Sequence, residues 1–215
     1  MGLLAEAFEA ELVRAGYSFL SKAEVREKDL ANTKELPAGV RSEFQDLFRS
    51  LGGIREQVDF KAGQWDLITR GGLHIEFDEQ LHFNRYRHLT AEVSWSDCLP
   101  WVPEYVQYNS LHEDACLRAG MRGKTWTSPS TEKMFGEADR PGVFGRNGSP
   151  RWKQRALYDA VRDAYAVHTP GVTMARVSLH DQIGGIGGHL LGKKGVSLDP
   201  VALREFVMKR TVPST

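Results

Sequence analysis

A short stretch in the first half of the chain carries side chains that could do chemistry. Residues 73–78 alternate apolar and polar side chains, which is the period of a β-strand. Successive strand side chains point to opposite faces, so His74, Glu76 and Asp78 share one face. Two neighbouring carboxylates repel each other unless a cation, usually a metal ion, offsets their charge. The same alternation is also typical of an ordinary sheet with one polar, half-exposed face.

A third carboxylate, Asp66, lies on the preceding strand-like run, residues 64–69. If residues 70–72 (Arg-Gly-Gly) form a three-residue hairpin loop, Asp66 lies opposite Glu76 and on the same face. A two-residue loop would turn Asp66 to the opposite face. Convergence of Asp66, Glu76 and Asp78 predicts a site for Mg²⁺ or Mn²⁺, because these ions prefer oxygen ligands and bridge phosphate oxygens.

The pattern Glu76-x-Asp78-x-x-x-His82-Phe83, directly after an apolar strand and downstream of Asp66, resembles the core motif of the PD-(D/E)XK nuclease superfamily. The most similar form is its very-short-patch-repair-like branch, with the related phage homing endonucleases. The resemblance implies a restriction-endonuclease-like fold and an Mg²⁺-dependent endonuclease. It also implies that Asp66, Glu76 and Asp78 lie near the metal, with His82 near the attacking water or the scissile phosphate.

Two positions depart from the pattern of that branch. Glu79 stands where glycine is usual, and Leu81 stands where glutamine often occurs. The resemblance covers residues 58–87, and more loosely the helix at Pro150 and the strand at Val172.

Residues after the motif are candidates for proton transfer and substrate binding. His82 could receive the proton of the attacking water near neutral pH, or it could be a structural histidine at a helix start. Asn84, Arg85 and Arg87 are predicted to bind the substrate, since guanidinium groups pair with phosphate and an amide can reach a base or sugar. The alternative for these residues is a solvated, salt-bridged helix or loop.

A second group of candidates opens the helix at Pro150. The resemblance implies that Lys153 or Gln154 assists the metal site. The charged residues that follow are spaced three or four apart, which predicts a ladder of surface ion pairs: Arg155, Asp159, Arg162 and Asp163.

The elements that must position these residues follow from the apolar period. Helices are predicted over residues 3–15, 41–51, 104–119, from Pro150 onward, and from Pro200 to about 209. Three short runs predict an antiparallel meander: 55–60, 64–69 and 73–78. A further strand is predicted over 172–179, an irregular insertion over about 122–148 and a flexible glycine-rich connection over 184–195.

Together these elements predict a single α/β (α+β) domain with a central mixed sheet flanked by helices. Its parts are an N-terminal helical part (1–53), a nuclease-like core (54–180) and a C-terminal part (181–215) that ends in a helix.

Composition restricts the function further. The chain has 28 Lys and Arg against 28 Asp and Glu, which excludes a protein that coats nucleic acid or membranes by bulk charge. No run approaches the ~20 apolar residues of a membrane span, and the N-terminus lacks the pattern of a signal peptide. We therefore expect a cytoplasmic protein.

The sequence thus predicts a metal-dependent nuclease that acts on DNA, in phage defence, repair or mobile-element maintenance. Possible partners are a second copy of the chain or another defence protein. The alternative is a catalytically inactive nuclease-like binding or interaction module, and a third reading is an enzyme of phosphorylated small molecules.

Overall fold

The computed structural model describes residues 2–56, 59–121 and 125–212. The strands are β1 (Leu67–Ile68), β2 (Leu73–Asp78), β3 (Thr173–Ser178), β4 (Gln182–Ile183), β5 (Ile186–Gly187) and β6 (Thr211–Val212). The helices are α1 (Leu3–Arg14), α2 (Lys22–Arg26), α3 (Ala38–Ser50), α4 (Arg85–Leu89), α5 (Val102–Leu111), α6 (Glu113–Gly120), α7 (Pro129–Phe135), α8 (Pro150–His168) and α9 (Pro200–Lys209). Short 3₁₀ turns include Gln80–His82 and Gly188–Leu190.

Four strands form a mixed sheet in the order β1-β2-β3-β6. β1 is antiparallel to β2, β2 is parallel to β3, and β6 is antiparallel to β3. β4 and β5 form a separate hairpin. The predicted mixed α/β class is confirmed.

Different helices cover the two faces of the sheet. On one face, Phe77 of β2 stacks on Phe8 of α1, with ring centroids 4.7 Å apart. On the other face, Glu76 and Arg176, which are paired across β2 and β3, lie under α8. A polar layer is therefore enclosed between the sheet and α8.

The hairpin register agrees with the three-residue loop. Leu67 pairs with Ile75 and Ile68 with His74, and Thr69 N donates to the Leu73 carbonyl at 2.9 Å. One further step in this register places Asp66 opposite Glu76. The predicted register is confirmed.

The first strand of the predicted meander is wrong for the residues that can be described. No strand occurs at residues 55, 56, 59 or 60, and the rest of that run, 57–58, lies outside the described residues. Phe60 instead exchanges hydrogen bonds with Thr33: its amide donates to Thr33 Oγ1 at 2.9 Å and its carbonyl accepts from Thr33 N at 2.9 Å. The periodicity of residues 55–60 could not predict this contact, because the partner, Thr33, lies 27 residues earlier in the chain.

Three further boundaries differ from the prediction. The helix predicted over 104–119 is two helices, α5 and α6, which meet at His112. The insertion contains α7, whose N-cap residue Ser128 forms a capping box with Thr131. The glycine-rich connection contains β5, which forms a hairpin with β4 just before the connection.

The start of α8 follows its sequence signals. Ser149 Oγ accepts a hydrogen bond from Trp152 N at 3.2 Å, and Pro150 occupies the first turn, where its missing N–H costs nothing. These contacts fix the start of α8, the helix that covers the polar layer.

Among the described residues, no helix combines the length and the apolar character that a membrane crossing needs.

Candidate metal and catalytic site

The β1–β2 hairpin joins Asp66 to Glu76 through the backbone. Asp66 N donates to Glu76 Oε1 at 3.0 Å, and Phe77 N donates to Asp66 Oδ2 at 3.2 Å. Glu76 and Asp78 are 3% and 1% exposed, so the expectation of an ordinary half-exposed polar face is wrong. Side-chain alternation identified the shared face but not the helix that covers it.

The cation that offsets these carboxylates is an arginine of β3. Arg176 is fully buried, and its Nη1 donates to both oxygens of Asp78 at 2.8 and 2.9 Å. Its Nε donates to Asp163 Oδ1 at 3.0 Å. Sequence reasoning missed Arg176, although a single arginine within an otherwise uncharged strand is a usable signal.

Helix α8 supplies two buried carboxylates, Asp159 and Asp163. They lie on the same helical stripe as the apolar residues Ala156 and Ala160, at spacings of three and four. The predicted pair of Asp159 with Arg162 is present at 3.5 Å, but its predicted surface position is wrong, because these carboxylates are buried against the sheet. Their position within the apolar stripe was the signal that could have identified them.

His82 lies between two carboxylates at the carboxyl end of β2. Its Nδ1 lies 2.8 Å from Asp159 Oδ2 and 3.2 Å from Asp78 Oδ1, while 21% of its side chain is exposed. One potential ligand atom from each of Asp78, His82 and Asp159 lies within 4.8 Å of the others. This group, which we call the Asp-His-Asp cluster, could hold a metal ion.

The cluster combines two residues of the predicted site with one that sequence reasoning missed. Asp78 was expected near the metal and His82 near the attacking water or the scissile phosphate, whereas Asp159 was not expected in the site. Asp66 and Glu76 lie beside the cluster and are not among its three members. Their predicted role as metal ligands stays a prediction.

Burial and neighbouring charges in the polar layer shift the pKa values of its acids. Burial raises the pKa of Glu76 to about 8, although Arg162 lies 3.5 Å away and favours the charged form. Burial likewise raises the pKa of Asp66, and the charge of Asp78 adds to this effect. Burial acts in the same direction on Asp159, yet the charges of His82 and Arg176 hold its pKa well below its usual range. The polar layer therefore contains two acids with raised pKa values, Glu76 and Asp66, beside one with a lowered pKa, Asp159.

Lys153 and Gln154 contact other parts of the protein. The Lys153 ammonium lies 5.6 Å from the centre of the Tyr86 ring and 5.8 Å from that of Phe135. Gln154 Oε1 accepts from Arg151 at 2.7 Å, and its Nε2 donates to the Met134 sulfur at 3.3 Å. Their predicted assistance to the metal site stays a prediction without a described contact to the cluster.

Asn84, Arg85 and Arg87 each have a partner within the protein. Asn84 caps α4 by accepting from Tyr86 N at 3.1 Å. Arg85 forms a two-pronged pair with Glu113 at 2.9 and 2.8 Å. Buried Arg87 donates to Asp163 at 2.7 Å. Substrate binding by these residues is still a prediction, and it would require the exchange of these partners.

A cavity of about 380 Å³ adjoins the site at Asp66. It is lined by residues of α1, of α2 and the segment that leads into it, and of β1 and the segment before it: Glu9, Leu20, Ser21, Lys22, Val25, Arg26, Gln64, Trp65, Asp66 and Leu67. Arg162 donates to the carbonyl of Gln64 at 3.0 Å. The cavity is thus linked to the polar layer through Asp66 and Arg162.

The donor atoms of the cluster are chemically suited to a divalent ion. Carboxylates and a neutral imidazole are common ligands of such ions. A carboxylate offers about four lone-pair sites, so Asp78 could bind an ion while it still accepts from Arg176. The residues present therefore fit a metal.

Comparison with known proteins gives a family and no function. No curated protein and no solved structure matches the chain. The family described as "Family of unknown function (DUF7255)" matches residues 46–193, which is more than half of the chain and includes the whole Asp-His-Asp cluster. The chain therefore belongs to this family of unknown function.

Proposed function

We propose that the protein is a metal-dependent nuclease that hydrolyses phosphodiester bonds in DNA, with a restriction-endonuclease-like core. The observation that carries the proposal is the Asp-His-Asp cluster, whose ligand atoms lie within 4.8 Å of one another. Support also comes from the confirmed hairpin register, which brings Asp66 and Glu76 beside the cluster. The sheet, with one antiparallel hairpin and one parallel neighbour under α8, is compatible with the fold that the motif implies.

Asp78, His82 and Asp159 would hold the ion, which is Mg²⁺ or Mn²⁺ in this proposal. A bound divalent ion polarises the phosphoryl oxygen and lowers the pKa of its water. Mn²⁺ is the better match to the cluster, because Mg²⁺ favours oxygen ligands whereas Mn²⁺ also accepts imidazole.

The protein's own residues would position the substrate. His82 Nδ1 faces Asp159 and Asp78, so a neutral His82 that binds the ion through Nδ1 carries its proton on Nε2 and could donate a hydrogen bond from there to a phosphate oxygen. Lys22 and Arg26 line the adjacent cavity, and neither forms an ion pair with another described residue. These two cations are better placed to meet phosphate than Arg85 and Arg87, which are already paired.

A second candidate is the catalytically inactive nuclease-like module. The observation that favours it is that arginine side chains already pair with the carboxylates of the polar layer. Arg176 binds Asp78 and Asp163, and Arg162 lies 3.5 Å from both Glu76 and Asp159. Because these charges are compensated without a metal, the carboxylates could serve structure alone.

Cleavage separates the two candidates, and metal binding tests whether the Asp-His-Asp cluster is a metal site. For the nuclease, millimolar Mn²⁺ should raise the Tm through ligand linkage, by an amount that grows with concentration above the Kd. Linear DNA should then be cut in Mn²⁺ or Mg²⁺. Asp159→Asn and His82→Gln should abolish both the Tm shift and cleavage.

Asp114→Asn is the matched control, because Asp114 is an exposed acid at the start of α6. It should behave like the unaltered protein in both assays. Metal stabilisation without cleavage of any substrate, or the absence of both, would favour the inactive module. Full cleavage by Asp159→Asn would show that the cluster is not the active site.

A further inference from the structure

The carboxylates of the candidate site are unequally accessible. Glu76, Asp78, Asp159 and Asp163 are all buried, whereas Asp66 is partly exposed. Asp66 also lines the adjacent cavity. Among the acids of this layer, Asp66 is therefore the one that connects the layer to a cavity able to hold a ligand.

The size of that cavity limits what can enter it. Its volume of about 380 Å³ lies near the lower end of the ~300–1,000 Å³ typical of small-molecule sites. Trp65 forms a fixed wall, since its Nε1 donates to the Asp29 carbonyl at 3.1 Å and its ring lies 4.5 Å from that of His74. A space of this size has room for one nucleotide, and a DNA duplex is far too wide to enter.

The charges around the cavity favour a ligand with a phosphate group. Lys22 and Arg26 supply two exposed cations. The acids Glu9 and Asp66 also line the cavity, and Arg162 donates a hydrogen bond to the carbonyl of Gln64, another lining residue. Lys22 and Arg26 can therefore pair with a phosphate at the cavity, on a ligand that also lies next to Asp66.

We propose that this cavity binds the terminal nucleotide of a single strand, so that the enzyme acts at strand ends and not within a continuous duplex. The inference rests on the proposed nuclease function. Asp66 lines the cavity and is hydrogen-bonded to Phe77 N, while its own amide donates to Glu76, so a nucleotide in the cavity would lie next to the polar layer. A free end brings one chain to the cavity, whereas an internal nucleotide brings a chain on both sides and, in a duplex, must also be extruded at a cost of a few kcal/mol of unstacking.

The test compares two forms of one sequence. A linear single-stranded oligonucleotide and its covalently closed circle are incubated with the full-length protein in Mn²⁺. A parallel binding assay replaces Mn²⁺ by Ca²⁺ and measures the fluorescence polarisation of an end-labelled linear strand, with unlabelled linear or circular DNA as competitor. We expect cleavage and competition by the linear form to exceed those of the circle by at least about tenfold, equivalent to about 1.4 kcal/mol.

A pair of variants links this preference to the cavity. Leu20→Trp adds bulk to the cavity lining, whereas Leu111→Trp adds the same bulk on an exposed surface. We expect Leu20→Trp to lower end binding at least about tenfold and Leu111→Trp to leave it unchanged. Thermal unfolding of both variants verifies that each is folded.

The outcomes separate the inference from the function on which it rests. Equal cleavage of circle and linear strand would overturn the inference while the nuclease stands. End-selective binding that Leu20→Trp abolishes, without cleavage of any substrate, would support the end-binding cavity and overturn the nuclease. The absence of both cleavage and end-selective binding would overturn both proposals.

Discussion

Replacing Glu76 by glutamine should stabilise the protein, and the gain should grow as the pH rises. Burial raises the pKa of Glu76 from its ordinary 4.5 to about 8 in the folded state. Below pH 4.5 the carboxyl is protonated in both the folded and the unfolded chain. Between pH 4.5 and 8 the folded chain holds a proton that the unfolded chain releases, so stability is lost as the pH rises. Glutamine does not titrate and avoids this loss.

The expected size follows from the two pKa values. One pH unit between them is equivalent to about 1.4 kcal/mol of unfolding free energy, so the full difference corresponds to about 5 kcal/mol. Arg162, at 3.5 Å from Glu76 Oε2, can move to stabilise the charged form and reduce this effect. We therefore expect Glu76→Gln to gain on the order of 2–5 kcal/mol, relative to the unaltered protein, between pH 4.5 and pH 8.

Urea unfolding at a series of pH values from 4 to 9, without added metal, measures the effect directly. Glu113→Gln is a control of opposite sign. Hydrogen bonds from Arg85 outweigh burial and lower the pKa of Glu113, so its ionised form stabilises the fold above pH 4.5. Glu113→Gln should thus lose stability at neutral pH and recover it on acidification. A Glu76→Gln profile parallel to that of the unaltered protein, or a loss of stability at high pH, would refute the reasoning, because Glu76 would then be ionised in the folded state.

Three further predictions concern the surroundings of the site. Arg176→Met should lower the unfolding free energy by about 3–5 kcal/mol in urea, because it leaves Asp78 buried without its cation; a loss below 1 kcal/mol would contradict this role. Ser149→Ala should cost about 1–2 kcal/mol, since it removes the cap of α8 and the 2.6 Å hydrogen bond to the Trp126 carbonyl; an unchanged Tm would contradict it. Burial lowers the pKa of His180 to about 3, so the unaltered protein should lose stability as the pH falls below 6.5, when the unfolded chain takes up a proton that the folded chain does not. In thermal unfolding between pH 7 and pH 4, His180→Gln should therefore lose less stability than the unaltered protein. An equal loss would show that His180 is not held neutral by burial.

Local patterns predicted much of the hairpin and of α8. The alternation in residues 73–78 identified β2 and the shared face of Glu76 and Asp78, because the two-residue period is a property of the strand itself. The three-residue loop correctly predicted the register of Asp66. Ser149 and Pro150 marked the start of α8, since capping depends on neighbouring residues alone.

Contacts between distant segments decided the rest. Phe60 bonds to Thr33 and forms no strand, a choice that depends on a partner 27 residues away. The order of the sheet likewise pairs β2 with β3, about 100 residues later in the chain. Periodicity within a short window contains no information about such partners.

The site shows the same division between sequence and tertiary structure. The sequence by itself determined that Glu76 and Asp78 share a face, because side-chain alternation is a property of the strand, and it predicted Asp66 on that face only for a three-residue loop, which the register then confirmed. Only the tertiary structure decided that α8 covers that face, that Arg176 neutralises Asp78, and that Asp159 joins His82. The physical reason is that a buried charge needs a partner, and the packing of β3 and α8 against β2 determines which residue fills that role.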